Sequence, residues 1–597
     1  MCGIFAYAGN RSDASQLILH GLKLLEYRGY DSWGVAVIPR GKGEGKRGKN
    51  EIVVKKRIGK IGDANVNELP SSSFGFGHTR WATHGGVTNV NAHPHLDCFN
   101  TIAVIHNGIV ENYEQLKKNL IKNGHKFQSE TDSEIIAHLI EEYSKNIPFP
   151  KAVQKTFNSL EGLNAIIAIN TKEEQFCAVK NGSPLVIGFG KNENFLASDA
   201  AALLPYTKQV YFLEDNQMAI VNKDKADVFD VATNRSVLIK PITLEWDIKQ
   251  SHKGNYPYFM LKEIHEQPDI ILEIANSRLN EAMKMAEVIK KSHGAYLVGC
   301  GSAAYVANSG VYLFSKVAKR HVNFAVASEF SYHLDFLNDK SLVIALSQSG
   351  ETMDTLEAVK RAKVKGAKIG AIVNVLGSTL YRIADYKLLI GAGPEKGVAS
   401  TKALIGKLSH LILIAYSLAG KGNQGKEVLI KAAASSKKLL QSTNINNIKK
   451  LAKLLKTKSH MFVIGRGLSY PTSLETALKI KEISYIHAEG LAAGELKHGP
   501  LALIEKGTPC IVFAPQDETH GANLAGAMEM KARGGYIIGI SNKSHEVFDY
   551  YIQVNDALEG TIIPNIIVGQ LLGYYLSVEK DLDPDKPRNL AKSVTVK

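Results

Sequence analysis

Cysteine is scarce in this chain. The five that occur among 597 residues (Cys2, Cys98, Cys177, Cys300 and Cys510) are odd in number and form no Cys-x-x-Cys pair. That excludes a disulfide framework and fits a reducing compartment. Long apolar runs are also missing. The two longest, 411–420 and 562–576, are short or broken by Pro, Asn and Gln, and read as buried helices rather than membrane spans. The start lacks the charged region and cleavage site of a signal peptide, so a soluble, cytoplasmic protein with no membrane partner is expected. No Walker A loop follows any buried strand, which disfavours ATP. The net charge of +14 could suit nucleic acid, yet the lysines are dispersed apart from 40–57, a Gly-rich stretch that reads as a solvated hairpin or loop. No zinc finger, RNP motif or aromatic-interleaved basic stripe accompanies it. No nucleic-acid partner is expected, and phosphorylated small molecules fit the surplus charge.

The length and an apolar content of 45% predict two to four domains. Residues 2–240 alternate short Val, Ile, Phe and Tyr runs with Gly and Asn turns, and helical patterns interrupt them at 13–26 and 132–144. This predicts a layered α+β domain. Residues 241–284 mix aromatics, charges and prolines and read as a linker. Beyond it, strand, glycine turn and helix repeat over 285–430 and again over 450–580, with Gly299 and Gly465 in equivalent places. Two related doubly wound α/β domains with parallel sheets are expected there, closed by a tail over 581–597.

Cys2 stands directly behind the initiator. It is either a small residue following the start or a nucleophile. If Met1 is removed, its own α-amine, with an ordinary pKa of about 7.7–8.0, can serve as base. His78, His84, His93, His95 and His106 show no helical metal-ligand spacing and no acidic residue among them, so no metal is expected. Arg80 and Trp81 suit a carboxylate site with an aromatic wall. Asn107-Gly108 suits either a tight hairpin turn or a pair of oxyanion donors.

In the second half, "SQSGET" (347–352) ends a buried strand and opens a helix. Ser347, Ser349 and Thr352 with the helix-start N–H groups suit a phosphate monoester, where ordinary N-capping would need one hydroxyl. "VGCGSAA" (298–304) fits a dinucleotide fingerprint formally, but no acid stands about 20 residues on, so NAD is disfavoured and Ser302 reads as a sugar-phosphate contact or a cap. Glu475, Lys479 and Glu482 share one helical face, either as a surface salt-bridge ladder or as a site. His498 is a proton shuttle or a loop histidine. The apolar tail carries Lys592.

Taken together, "CGIF", "EYRGYDS", "HTRWATHG", "NAHPH", "HNG" and "SETDSE" resemble the glutaminase domain of class II glutamine amidotransferases. "SQSGET", "VASTKA", "SYIHAEGLAAGELKHGPLALI" and "PRNLAKSVTV" are similar to the paired sugar-isomerase (SIS) domains of the glutamine:fructose-6-phosphate aminotransferase family, so the resemblance covers essentially the whole chain. It implies an N-terminal-nucleophile hydrolase αββα sandwich over 2–240, two doubly wound SIS domains, and a tail that closes the isomerase site. It further implies Cys2 as nucleophile, Asn107 and Gly108 as oxyanion hole, and Arg80, Thr83, His84 and Asp132 around L-glutamine, with Trp81 gating an ammonia channel. Ser302, Ser347, Gln348, Ser349 and Thr352 would bind fructose 6-phosphate. His498 would open the ring, Lys592 form a Schiff base, Glu482 move a proton and Lys479 stabilise oxygen charge. Those steps need no metal or other cofactor, and the family's shared histidine implies a homodimer. Two other readings are a different class II amidotransferase and a non-catalytic SIS sensor. The first would need a phosphoribosyl-pyrophosphate loop after residue 285, and the second would have no use for Glu482, His498 and Lys592 together. The chain departs from the family at Ser302-Ala303-Ala304, where Thr-Ser is usual, and at His84-Gly85-Gly86.

Overall fold

A computed structural model describes residues 2–39, 51–244 and 253–594. The basic stretch is only partly among them, since 40–50 lie outside; its end forms most of the strand Val53–Ile58, which pairs antiparallel with Ser32–Val37. The chain forms two compact units, one of residues 1–252 with 591–597 and one of residues 253–590.

The first unit is built on period-two strands. In Gly3–Ala8, Ile4, Ala6 and Ala8 face one hydrophobic cluster and Phe5 and Tyr7 face another. The strand lies inside an eight-stranded sheet, between Phe74–Arg80 and Asn194–Ala197. Phe5 and Tyr7 pack with the helix Ala14–Leu25 on the outer face. That helix comes so close that a Cβ on Gly77 would meet Leu22 at 2.7 Å. The inner face meets a seven-stranded sheet, which contributes Ala103, Ile105, Ile167 and Ala178 to the shared cluster. Its alternate residues, Ile102, Val104, Ile166 and Ala168, turn outward to the helices Glu134–Ser144 and Phe149–Ser159. Helix, sheet, sheet and helix thus form four layers. The helices Tyr113–Lys122 and Phe149–Ser159, absent from the expected helical patterns, present regular apolar faces, Tyr113, Leu116 and Leu120 on the first and Phe149, Ala152, Val153 and Phe157 on the second.

The second unit holds two five-stranded parallel sheets. In the first, Gly294–Gly299 lies between Asn323–Val326 and Ser341–Ser347. In the second, His460–Gly465 lies between His487–Ala492 and Pro509–Phe513. In each sheet the first strand in sequence is therefore flanked by the second and third. The chain reverses its order there, and the crevice at the strands' carboxyl ends is the usual ligand site of such folds. One continuous apolar cluster joins the two sheets through the helices between them. The helix Ile562–Glu579 is apolar enough to cross a membrane by composition, yet its residues through Ser577 are buried within this unit.

The linker expectation is corrected in part. Residues 259–284 are not a spacer: the helices Phe259–Ser277 and Leu279–Lys291 put Met260, Ile264, Ile271, Met285 and Ile289 into the main core of the second unit. Pro268 inside the first helix and a high charge content on the second disguised their periodicity. The tail also divides. Asp585 accepts hydrogen bonds from the N–H groups of Phe259 and Met260 at 2.8 Å each, tying the tail to the start of this unit, whereas residues from Ala591 onward group with the first unit.

Candidate active sites

In the first unit the strands Gly3–Ala8, Phe74–Arg80 and Ile102–Gly108 bring three sequence motifs to one place. The Trp81 N–H donates to Cys2 Sγ at 3.3 Å, and the thiol reaches the Trp81 carbonyl at 3.7 Å. Asn107 Nδ2 donates to the Cys2 carbonyl at 3.0 Å. The thiol is half-buried, so it is held by backbone on one side and open on the other.

Asn107-Gly108 is not a hairpin turn. Both residues belong to the strand Ile102–Gly108 and pair with Ala165 and Asn164. Gly108 has φ +145°, and a Cβ there would meet the Leu163 carbonyl oxygen at 2.2 Å, so the position requires glycine. The Asn107 amide is oriented by a residue to which the sequence assigned no role. His78 Nε2 lies 3.0 Å from Asn107 Oδ1 and 3.1 Å from the His106 carbonyl oxygen, so with its proton on Nε2 it donates to both. Burial pulls His78 down to about 3, which keeps the ring neutral. His106 in turn contacts Ser133 Oγ and Asn164 Oδ1 at 2.8 Å each. His78, His93, His95 and His106 are all buried, and desolvation lowers all four; they form the floor of this site.

Arg80 is buried and bends the following loop around itself. Its Nη1 donates to the Gly86 carbonyl at 3.0 Å, and its Nη2 to the carbonyls of Gly85 (3.2 Å) and His84. Those bonds use three of five N–H groups. Burial depresses the guanidinium, opposed by the charges of Cys2, Asp31 and Asp132 around it. Asp132 Oδ2 accepts the Val110 N–H at 2.7 Å, just past Gly108. Thr83 is exposed, and half-buried His84 meets the Tyr113 ring edge-on. Asp31, absent from the expected set, fixes the loop by accepting the Ala82 N–H at 2.8 Å.

In the second unit Ser302 and Ser347–Thr352 lie past the carboxyl ends of the adjacent strands Gly294–Gly299 and Ser341–Ser347, at the crevice of the first parallel sheet. Thr352 occupies the N-cap position of the helix Met353–Val364, but its hydroxyl makes no cap bond and lies 3.3 Å from Ser347 Oγ. Ordinary capping therefore does not explain it. Ser347 Oγ accepts the Gly350 N–H at 3.0 Å and Ser349 Oγ the Glu351 N–H at 3.1 Å. The half-buried Gln348 accepts the Asn374 N–H through its carbonyl at 3.1 Å. Hydroxyls and the positive end of a helix converge on one turn, a suitable cradle for a phosphate.

The row on the helix Ser469–Ser484 is not a surface ladder. Glu475 and Lys479 are each about 1% exposed. Lys479 Nζ lies 3.4 Å from Glu475 Oε1 and also pairs with Glu482. Ser302 Oγ donates to Glu475 Oε1 at 3.1 Å, which joins the two parallel-sheet domains. Burial pushes Glu475 up to about 7, against the pull of Lys479. Burial acts to lower Lys479, but the two carboxylates outweigh it and hold the ammonium firmly charged. Glu475 had no assigned role in the sequence; only its spacing signalled it. His498 is exposed on a short 3₁₀ helix, Glu495–His498. The half-buried Lys592 belongs to the segment grouped with the first unit, so the second unit alone gathers Ser302, Glu475, Lys479 and Glu482 but not Lys592.

Known proteins match along the same lines. Residues 78–205 match the family described as "Glutamine amidotransferase domain", and 288–416 and 453–549 each match "SIS domain". The chain is 45% identical to the glutamine–fructose-6-phosphate aminotransferase (isomerizing) of Pyrococcus horikoshii and 44% identical to that of Thermococcus kodakarensis, with all of each chain covered. Among solved structures, the C-terminal domain of glucosamine-fructose-6-phosphate aminotransferase from Francisella tularensis is 32% identical at a TM-score of 0.51, over 56% of this chain and 99% of that one. Two parallel-sheet domains behind a Cys2-centred sandwich, matched over full length at such identity, place this chain in the glutamine–fructose-6-phosphate aminotransferase (isomerizing) family.

Proposed function

We propose that the chain converts L-glutamine and D-fructose 6-phosphate to L-glutamate and D-glucosamine 6-phosphate, the first step of amino-sugar biosynthesis. The observation that carries this reading is the row of buried Glu475 and Lys479 with half-buried Glu482, bonded through Glu475 to Ser302 beside a hydroxyl-rich anion turn, on the same chain as the Cys2 site. With Met1 removed, the Cys2 α-amine takes the thiol proton, and the sulfur attacks the side-chain amide carbon of glutamine. Asn107 Nδ2 and the Gly108 N–H receive the developing oxyanion. Ammonia leaves, and water hydrolyses the thioester to glutamate. Arg80, Thr83, His84 and Asp132 hold the α-carboxylate and α-amine.

At the second site Ser347, Gln348, Ser349 and Thr352 bind the phosphate, with Ser302 at the sugar. His498, supplied by a neighbouring copy in a homodimer, opens the ring. Lys592 condenses with the C2 carbonyl to an imine, losing water, and ammonia displaces the lysine. Glu482 takes a proton from C1 and returns it to C2, which turns the ketose imine into the aldose amine. Lys479 balances negative charge on the oxygen at C1. Trp81 gates the passage of ammonia between the sites. The protein works in the cytoplasm, with no nucleic-acid or membrane partner.

Incubating the purified chain with both substrates and measuring glutamate and amino-sugar phosphate by mass spectrometry tests the reading. Equal amounts of the two products are expected. Glutamate without amino sugar would overturn the assignment of the second site.

A further inference from the structure

The first unit holds a group of side chains for which the reaction above has no use. Cys98, His125, His138 and Glu141 each offer one donor atom, and the four atoms lie within 4.8 Å of one another. Cys98 Sγ is 3.7 Å from His125 Nδ1 and 3.6 Å from His138 Nδ1. Glu141 Oε2 is 3.2 Å from both of those nitrogens. A tetrahedral zinc with bonds of about 2.3 Å to sulfur and about 2.0–2.1 Å to nitrogen and oxygen has ligand-to-ligand edges of about 3.3–3.6 Å. Four of the six edges, at 3.2, 3.2, 3.6 and 3.7 Å, lie within about 0.1 Å of that range.

The far sides of both rings meet the same chemistry. His125 Nε2 lies 2.9 Å from Glu142 Oε2, and His138 Nε2 lies 3.5 Å from Glu134 Oε1. A carboxylate behind a metal-bound imidazole is the usual outer shell, because it fixes the proton on Nε2 and turns the Nδ1 lone pair toward the ion. Glu142 is within hydrogen-bond reach of His125, while Glu134 stands behind His138 without a hydrogen bond to it. With protons so placed, two Nδ1 lone pairs would face one carboxylate oxygen with no hydrogen between them. A cation at the centre resolves that conflict.

The backbone prepares each ligand. Asp97 accepts the N–H groups of Thr101 (2.7 Å) and Ile102 (2.9 Å), closing the turn that presents Cys98. Gly124 at φ +91° ends the helix Tyr113–Lys122, and the His125 N–H bonds back to the Leu120 carbonyl at 3.1 Å. His138 and Glu141 are three apart on the helix Glu134–Ser144. Leu120, Ile135 and Leu139 pack the two helices together beside the cluster.

The geometry points to a structural zinc site formed by Cys98, His125, His138 and Glu141. Thiolate, imidazole and carboxylate in tetrahedral array suit Zn²⁺, and four protein ligands leave no open position for catalysis. Binding releases the Cys98 thiol proton to solvent. Exposed Cys98 gives the ion a way in, while the two histidines and Glu141 are buried. The site fastens the 97–100 turn, the end of one helix and the body of the next. The same segment, 126–133, carries Asp132, and Glu134 holds its N–H groups at Gln128 (2.7 Å) and Ser129 (2.6 Å). This departs from the expectation of no metal, which was drawn from five other histidines.

Metal content tests the site without reference to catalysis. The full-length protein, purified from zinc-supplemented medium and analysed by plasma mass spectrometry, is expected to carry about one zinc per chain. Metal-free protein titrated with Co²⁺ should show the d–d and thiolate charge-transfer bands of tetrahedral coordination. Cys98→Ser, at an exposed position, should abolish the charge-transfer band, and Glu142→Gln should weaken metal affinity by about ten- to a hundredfold. A chain that binds neither Zn²⁺ nor Co²⁺, or a Co²⁺ spectrum unchanged in Cys98→Ser, would overturn the assignment.

Discussion

Ser302 Oγ donates a hydrogen bond to Glu475 Oε1 across 3.1 Å, from the first parallel-sheet domain to a buried carboxylate of the second. The other oxygen, Glu475 Oε2, is buried with no hydrogen-bond partner among the described residues. A carboxylate so placed resists ionisation, and burial pushes it up to about 7. Its folded value is raised, so its contribution to stability is complete below the unfolded pKa of about 4.3 and is lost as pH rises through the folded one. The expected outcome is that Glu475→Gln gains melting temperature relative to the parent between about pH 5 and about pH 8. A difference flat across that interval would show that Glu475 ionises normally. Ser302→Ala removes a bond to the charged form, so the folded value rises further and the loss of stability should continue to higher pH in that variant.

Cys2 sits with its sulfur against the Trp81 backbone and its carbonyl on Asn107. Cys2→Ala is expected to lower glutamine hydrolysis by at least about 10³-fold, within the losses seen when a catalytic nucleophile is removed. Binding of fructose 6-phosphate, followed by calorimetry, should be unchanged because the phosphate-binding turn and Ser302 lie in the other unit. Retained hydrolysis would rule out Cys2.

How much of this was legible in sequence differs by element. The strand Gly3–Ala8 and the repeated strand and glycine turn at Gly299 and Gly465 announce themselves, because a buried strand reads as a short apolar run and the tight turn after it needs glycine. The SQSGET turn was readable because three hydroxyls exceed what capping needs. The helices of 259–291 were not, since their apolar faces are broken by Pro268 and by lysines and glutamates pointing outward. His78 was invisible as a support for Asn107, because no local spacing connects residues 78 and 107; only the packing of the two sheets face to face brings them together. The Cys98, His125, His138 and Glu141 group was missed for the same reason, its members being brought together from a turn and two helices.

Asn107 is expected to act on the transition state. Its Nδ2 is aimed at the Cys2 backbone, and His78 holds the opposite oxygen. Asn107→Ala should lower kcat for glutamine hydrolysis by about 10²–10³-fold with little change in KM, as loss of one oxyanion donor does elsewhere. His78→Ala frees the amide to rotate and should reduce kcat by a smaller factor. Because burial keeps His78 near 3, no inflection from it is expected in the pH profile above about pH 5. An effect of Asn107→Ala confined to KM would assign the residue to ground-state binding instead.

Lys592 is the residue whose proposed role depends most on chemistry and least on local contacts. An imine at C2 of the sugar requires a lysine amine that can lose its proton, and the ammonium of Lys479 is held charged by Glu475 and Glu482. Lys479 is thereby unsuited to the task, which accords with the proposed assignment of the nucleophile to Lys592. Borohydride added to the protein with fructose 6-phosphate reduces an imine to a stable secondary amine, so the adduct mass should appear on the peptide containing Lys592. Lys592→Arg keeps the charge but cannot form the imine. It should abolish both the adduct and amino-sugar formation while leaving the unfolding transition in place. An adduct on the Lys479 peptide would instead mean that sugar binding discharges that ammonium, and the roles of the two lysines would have to be exchanged.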